Sequence, residues 1–161
     1  MANAYQQFVE RVARTRLGVR LFMPLATAID RKLLSWSRGR LTSGVGTSWG
    51  KNICLLHARG AKSGVIRSVP LLFTEVGDDL VLIASQGGAA KHPAWYFNLK
   101  ANPDCEVELR GERGPRRARE AHGEERERLW QAAVLQYPGY AVYQLRTARR
   151  IPVMVLERSA S

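Results

Sequence analysis

Three short segments carry residue types suited to holding an anionic, planar ligand. The turn Arg59-Gly60-Ala61-Lys62-Ser63-Gly64 and the following Arg67-Ser68-Val69-Pro70 supply an ammonium, a hydroxyl, a guanidinium and backbone N–H groups beside two glycines. Such a set can hold a phosphate by charge-assisted hydrogen bonds. Ala84-Ser85-Gln86-Gly87-Gly88-Ala89 closes an apolar run with two glycines, which let the backbone approach a ligand closely. Pro93 to Pro103 puts Trp95, Tyr96 and Phe97 in succession. Neighbours on a helix point about 100° apart, so the three rings cannot share one core face. Trp95 shares a face with Leu99, and Tyr96 with Lys100; Phe97 is expected in the core. Tyr137, Tyr140 and Tyr143 recur at every third residue, a stripe of phenols that either covers a ring system or packs into a core.

Each segment alone also reads as an ordinary turn, loop or core stripe, and two near misses drop out. The Gly60–Gly64 turn lacks the spacing of a P-loop, and Gly44-Val45-Gly46-Thr47-Ser48-Trp49 misses the dinucleotide fingerprint by one residue and follows no strand. The dense Arg110, Arg113, Arg116, Arg117 and Arg119 read as a solvated strand face and turn. His57, His92 and His122 show no ligand spacing, and no metal site is claimed.

Composition bounds the class. The chain has 161 residues, 45% hydrophobic and 24% charged, as a single folded domain requires. Cys54 and Cys105 lie in apolar runs without CxxC spacing and are read as reduced, buried small hydrophobes, which suits an intracellular protein. A formal charge of +11 attracts polyanions or an acidic small molecule. Residues 1–50 contribute strongly, with eight arginines and lysines against two acids.

The elements that must position these residues follow from periodicity. Residues 5–37 read as a basic amphipathic helical stretch, with Phe8, Val12, Leu17, Leu21, Leu25 and Ile29 at helical spacing and arginines between them. Residues 1–38 could lie on an anionic membrane surface or pack on the rest of the chain. The apolar run Leu21–Ile29 is too short to span a bilayer, and a cytoplasmic protein, peripheral to the inner face of the membrane, is expected. Residues 39–50 form a linker, dividing a segment 1–50 from a domain 51–161. Strands are predicted over Ile53–Ala58, Val65–Thr74, Asp79–Ala84, Cys105–Leu109, Arg116–Ala121 and Ile151–Glu157, with a hairpin around Gly111–Gly114. Helices are predicted over Pro93–Ala101 and Glu124–Gln136. Successive hairpins with few crossovers favour an antiparallel barrel, mainly β with flanking helices.

Together, Gly60-x-Lys62-Ser63-Gly64, Ala84-Ser85-x-Gly87-Gly88-Ala89, Pro93-x-Trp95-Tyr96-x-Asn98-Leu99-Lys100-Ala101-Asn102-Pro103 and Tyr137-Pro138-x-Tyr140-x-x-Tyr143 resemble the deazaflavin-dependent nitroreductase family, from about Ile53 to Glu157. The resemblance implies a split β-barrel of the FMN-binding type that uses coenzyme F420 to reduce a quinone, an enone or a nitro compound. It implies that Ala61, Lys62, Ser63 and Arg67 hold the phosphate and acidic tail, and that Ser68, Val69, Pro70, Leu71 and Leu72 line the cofactor's path. Ile83, Ala84, Ser85 and Gln86 would lie at the ring, with Ala94, Trp95, Tyr96, Phe97, Asn98 and Tyr140 completing the pocket. Tyr137, Tyr143 and Ser85 would face the acceptor as catalytic residues. Ala61 and Gln86 depart from the basic residues that family members often carry. The rivals are an FMN-dependent split-barrel oxidoreductase and a non-enzymatic binder of polyanions or membrane; no nucleic-acid partner is expected, and the chain is expected as a monomer or homodimer.

Overall fold

A computed structural model describes residues 52–159. The expected helical stretch 5–37, the linker 39–50 and the membrane-facing segment 1–38 lie outside these residues. Strands β1 (Ile53–Arg59), β2 (Ile66–Val76), β3 (Asp79–Ile83), β4 (Asp104–Leu109), β5 (Glu112–Glu120) and β6 (Val153–Arg158) are accompanied by helices α1 (Ala94–Ala101), α2 (Gly123–Gln136) and α3 (Gly139–Leu145). The strands close into a barrel in the order β1-β2-β3-β6-β5-β4, and every pairing is antiparallel. This is the antiparallel barrel with flanking helices that the hairpin pattern predicts.

Side chains of a strand alternate between faces, and here both faces of β3 and β6 are buried. Leu80, Leu82 and Ala84 from β3 and its end join Met154 and Leu156 of β6 in one cluster with Cys54, Leu56, Phe73, Trp95 and Leu99. That cluster fills the barrel. Val81, Ile83, Val153 and Val155 point the other way, into a second cluster with Leu129, Trp130 and Ala133 of α2 and Tyr140 and Tyr143 of α3. The near-continuous apolar runs of these two strands follow from this double burial.

Three differences from the expected elements have local causes. The β4–β5 turn is the pair Arg110-Gly111, both at positive φ (54° and 89°), so the strands pair from Leu109↔Glu112 onward. Two left-handed residues suffice for a hairpin turn; β5 therefore begins at Glu112 rather than Arg116. Phe97 is 50% exposed, against the expectation of a core position. Trp95 and Leu99 turn one face of α1 inward, and Phe97, two residues from each, lies about 200° around the helix axis from Trp95. Tyr140 and Tyr143 sit on a helix of their own, α3, which starts at the Pro138-Gly139 pair, and Tyr137 caps the end of α2.

The arginine-rich strand β5 is a solvated face, as expected, and its exposed arginines are tied by ion pairs. Arg113 meets Glu106, Arg117 meets Asp104 at 2.7 Å, and Arg119 bridges Glu125 and Glu157 at 2.6 Å each. Cys54 and Cys105 are free and buried as expected, and burial pushes their thiols up to about 12 and about 11.

Leu82 is fully buried in the barrel whereas Leu145 is 89% exposed at the end of α3. Leu82→Ala should lower stability by about 2–5 kcal/mol, and Leu145→Ala by less than about 0.5 kcal/mol. Urea denaturation of the two variants measures the difference; equal losses would contradict the assignment of the barrel interior.

Candidate functional site

The basic turn is built before it can bind anything. Gly60 N–H donates to Val65 O and Gly64 N–H to Gly60 O, both at 2.9 Å. A Cβ at position 60 would come within 2.5 Å of Ser63 Oγ, and Gly64 has φ +66°, so both glycines serve the turn's geometry. Arg59 donates across the turn to Gly64 O at 3.1 Å. Ala61, Lys62, Ser63 and Arg67 are left exposed.

Helix α1 anchors that turn. Ala61 N–H donates to Asn98 Oδ1 at 3.0 Å, and Asn102 Nδ2 donates to Arg59 O at 3.4 Å. Asn98 and Asn102 stand four residues apart on one face, the spacing at which helical neighbours act together. One turn back, Tyr96 donates to Glu120 at 3.0 Å, and Lys100 donates to the same carboxylate oxygen at 3.1 Å. Burial, then Glu120, raises the Tyr96 phenol above its ordinary range. Tyr96 and Phe97 pack edge-to-face at 5.4 Å between ring centres, and His92 lies 4.7 Å from Tyr96 and 5.8 Å from Phe97. Ala94 is exposed, and Trp95 belongs to the barrel core.

Along β2 the expected lining residues split by face. Val69 and Leu71 pack on the barrel core and Leu72 on the second cluster. Ser68 Oγ shares a 2.7 Å hydrogen bond with Nδ1 of buried His57, its partner across β1–β2, and Pro70 is half-buried. Desolvation, then Arg113, lowers the His57 pKa, which favours the neutral ring.

Beyond β3, Ile83 and Ala84 enter opposite clusters and the chain then turns tightly. Ser85 is right-handed (φ −72°, ψ −42°), Gln86 has φ 47°, Gly87 φ 66° and Gly88 φ 83°. A right-handed residue followed by left-handed ones aims consecutive N–H groups to one side, a concavity for negative charge. Gln86 adopts this conformation at a cost of about 1–2 kcal/mol, which marks it for a functional reading. Gly88 presses the loop onto α3, since a Cβ there would lie 2.6 Å from Tyr143 O and 2.8 Å from Arg146 Cβ.

The three phenols of α3 and its N-terminal flank meet beside this loop. Tyr137 and Tyr143 hydroxyls are 2.9 Å apart, and the Tyr137 and Tyr140 rings pack edge-to-face at 5.1 Å. Tyr140 and Tyr143 are buried and Tyr137 half-buried, so the stripe is part of the second cluster, and the Tyr143 carbonyl lies beside Gly88. Burial drives the Tyr140 phenol well above its ordinary range. Gly139 is required for this packing: a Cβ would fall 2.3 Å from the Tyr137 ring.

One residue at the centre of the arrangement carries no sequence signal. Arg149 donates from Nη2 to Ala84 O at 3.1 Å and Ser85 O at 2.8 Å, from Nε to Ala89 O at 2.9 Å, and from Nη1 to His92 Nδ1 at 3.0 Å. It sits in a basic stretch before β6 that resembles any solvated run. The nearest clue was Pro152, which cannot donate to a neighbouring strand.

All four motif segments are therefore linked by direct contact. The basic turn meets Asn98, α1 meets His92 through Tyr96 and Phe97, Arg149 joins His92 to the Ala84–Ala89 loop, and Gly88 meets Tyr143. Cations, aimed N–H groups and aromatic faces on linked segments are residue types that could hold an anionic, planar coenzyme. Gly88→Ala should separate the loop from α3: we expect a thermal unfolding midpoint several degrees lower and weaker cofactor binding, measured by calorimetry and fluorescence titration. Wild-type values for both would contradict the contact.

A sequence model described as F420-H2-dependent quinone reductase matches residues 32–158. An F420-H2-dependent quinone reductase of Mycobacterium tuberculosis (strain H37Rv) is 41% identical over 111 residues, 65% of this chain and 72% of that protein. A solved F420-H2-dependent reductase, FDR-A, is 49% identical with a TM-score of 0.62, covering 66% of this chain and 95% of that one. A solved structure described as a domain-swapped dimer is 44% identical with a TM-score of 0.64, covering 79% of this chain and 95% of the other. With matched residues running through the basic turn, the glycine loop, α1 and the tyrosine stripe, the chain belongs to the F420-H2-dependent quinone reductase family.

Proposed function

We propose that this chain binds coenzyme F420 across the linked segments and reduces a quinone with it. The observation that carries the reading is the continuous chain of contacts from the exposed cations to the tyrosine wall. A linear, polyanionic cofactor with a planar ring at one end needs that order of chemistry. Lys62, Ser63 and Arg67 hold the phosphate and acidic tail at the turn. Ser68 and Pro70 border its path, while Val69, Leu71, Leu72 and Trp95 support the wall from within the two clusters. The N–H groups of Gln86 and Gly87 face the ring, and Tyr96, Phe97 and Asn98 close its side.

When bound and reduced, the coenzyme supplies the hydride. The protein's part is to orient, exclude water and manage a proton. The Tyr137–Tyr143 hydroxyl pair at 2.9 Å is suited to the last task, since one phenol can donate to an acceptor oxygen while the other steadies the charge left behind. Tyr140, held protonated by burial, keeps the pair in place through its ring contacts.

Quinone is the acceptor for which the family is described; enones and nitro compounds extend the same chemistry. The FMN-dependent and non-enzymatic alternatives lose their ground, because the family is defined by the deazaflavin coenzyme. No helix among the described residues is long and apolar enough to cross a membrane. On the arginine-rich amphipathic pattern of residues 1–38 we propose contact with an anionic membrane surface, where lipophilic quinones dissolve.

Titration with oxidised F420, FMN and FAD, followed by quenching of tryptophan fluorescence, tests the reading. Selective binding of F420 is expected, with Lys62→Ala and Arg67→Ala each weakening it about tenfold or more, as the loss of a charge-assisted hydrogen bond implies. Preference for FMN, or unchanged affinity in both variants, would contradict it.

A further inference from the structure

We propose that Arg149 is a positioning residue for the site, holding the Ala84–His92 segment in the one conformation that turns its N–H groups toward the coenzyme. The need for it arises in the β3–β6 ladder. Ile83 pairs with Val153, and Ala84 N–H continues the ladder by donating to Pro152 O at 3.0 Å. An antiparallel pair would return a bond from residue 152 to Ala84 O, but proline has no N–H to give. Arg149 Nη2 supplies the missing donor at 3.1 Å, and the same nitrogen takes Ser85 O at 2.8 Å.

The direction of the following peptides is thereby set. In a trans peptide the C=O and the next N–H point oppositely. With Ser85 O drawn to the guanidinium, Gln86 N–H faces away from Arg149, and the left-handed Gln86 and Gly87 carry the concavity onward. Arg149 Nε fixes the far side of the loop through Ala89 O at 2.9 Å. A guanidinium can only donate, so His92 Nδ1 accepts and the neutral ring carries its proton on Nε2. Burial, then Arg149, lowers the His92 pKa, consistent with a neutral ring beside Tyr96 and Phe97. One side chain therefore sets both the loop and the aromatic group against each other.

The coenzyme arm of the test rests on the proposed function, whereas the loop arm rests on geometry alone. Hydrogen exchange of the full-length protein without cofactor should show residues 84–92 exchanging at least tenfold faster in Arg149→Ala, with the barrel strands unchanged. Affinity for oxidised F420 should fall at least tenfold, and millimolar guanidinium chloride, but not sodium chloride, should restore part of it. Arg149→Lys, which retains charge and length but cannot span four acceptors, should show the same local loosening if the alanine variant fails to fold. Wild-type exchange at 84–92 in the folded variants would overturn the proposal, as would looser exchange with unchanged F420 affinity. Failure of the wild-type chain to bind F420 would instead overturn the functional reading, and the exchange result would still decide what Arg149 holds.

Discussion

Double burial of β3 and β6 is the constraint on which the rest of this structure depends. A strand with the barrel core on one face and a helical layer on the other has no exposed side chains to spare for binding. Leu80 and Leu82 are committed inward and Val81 and Ile83 outward. Ligand chemistry is therefore confined to the places where these strands end. The chain leaves β3 at Ala84 and enters β6 after Pro152, and it is there that the left-handed loop, Arg149 and the tyrosine helix converge.

This placement gives each part of the site a rigid support. The aromatic face of α1 is fixed because Trp95 and Leu99 are sunk in the barrel and Tyr96 packs at its edge, leaving Phe97 exposed against the Tyr96 ring. The backbone of the basic turn is steadied by Asn98 of the same helix and by Asn102 at its C-terminal cap. Tyr140 and Tyr143 are core residues whose neighbour, the glycine loop, is part of the site. A stripe that packs need not be excluded from binding, since the helix that carries it also borders the glycine loop.

Much of the fold was legible because it depends on short-range pattern. Six strands and two helices follow from alternation, turn glycines and helical spacing, and the barrel follows from their order. The deviations are local. Arg110 gives no hint in the sequence that it adopts positive φ, and the tight turn it makes with Gly111 lets β5 start at Glu112. Hydrophobicity alone points Phe97 inward, but the helical phase set by Trp95 and Leu99 turns it to solvent. The motifs of the candidate site were legible as residue types, and the structure links their segments through contacts across 37 and 64 residues, such as Ala61 to Asn98 and Ser85 to Arg149. Arg149 itself was invisible, because its role comes from what Pro152 lacks rather than from any motif.

The central claim is that the four segments form one coenzyme site at the ends of β3 and β6. Hydrogen exchange of the full-length protein, with and without saturating oxidised F420, tests it most directly. The account predicts added protection over residues 60–67, 84–92, 94–98 and 137–143 together, with the β4–β5 hairpin unaffected. Protection centred on that arginine-rich hairpin, or confined to a single segment, would contradict it.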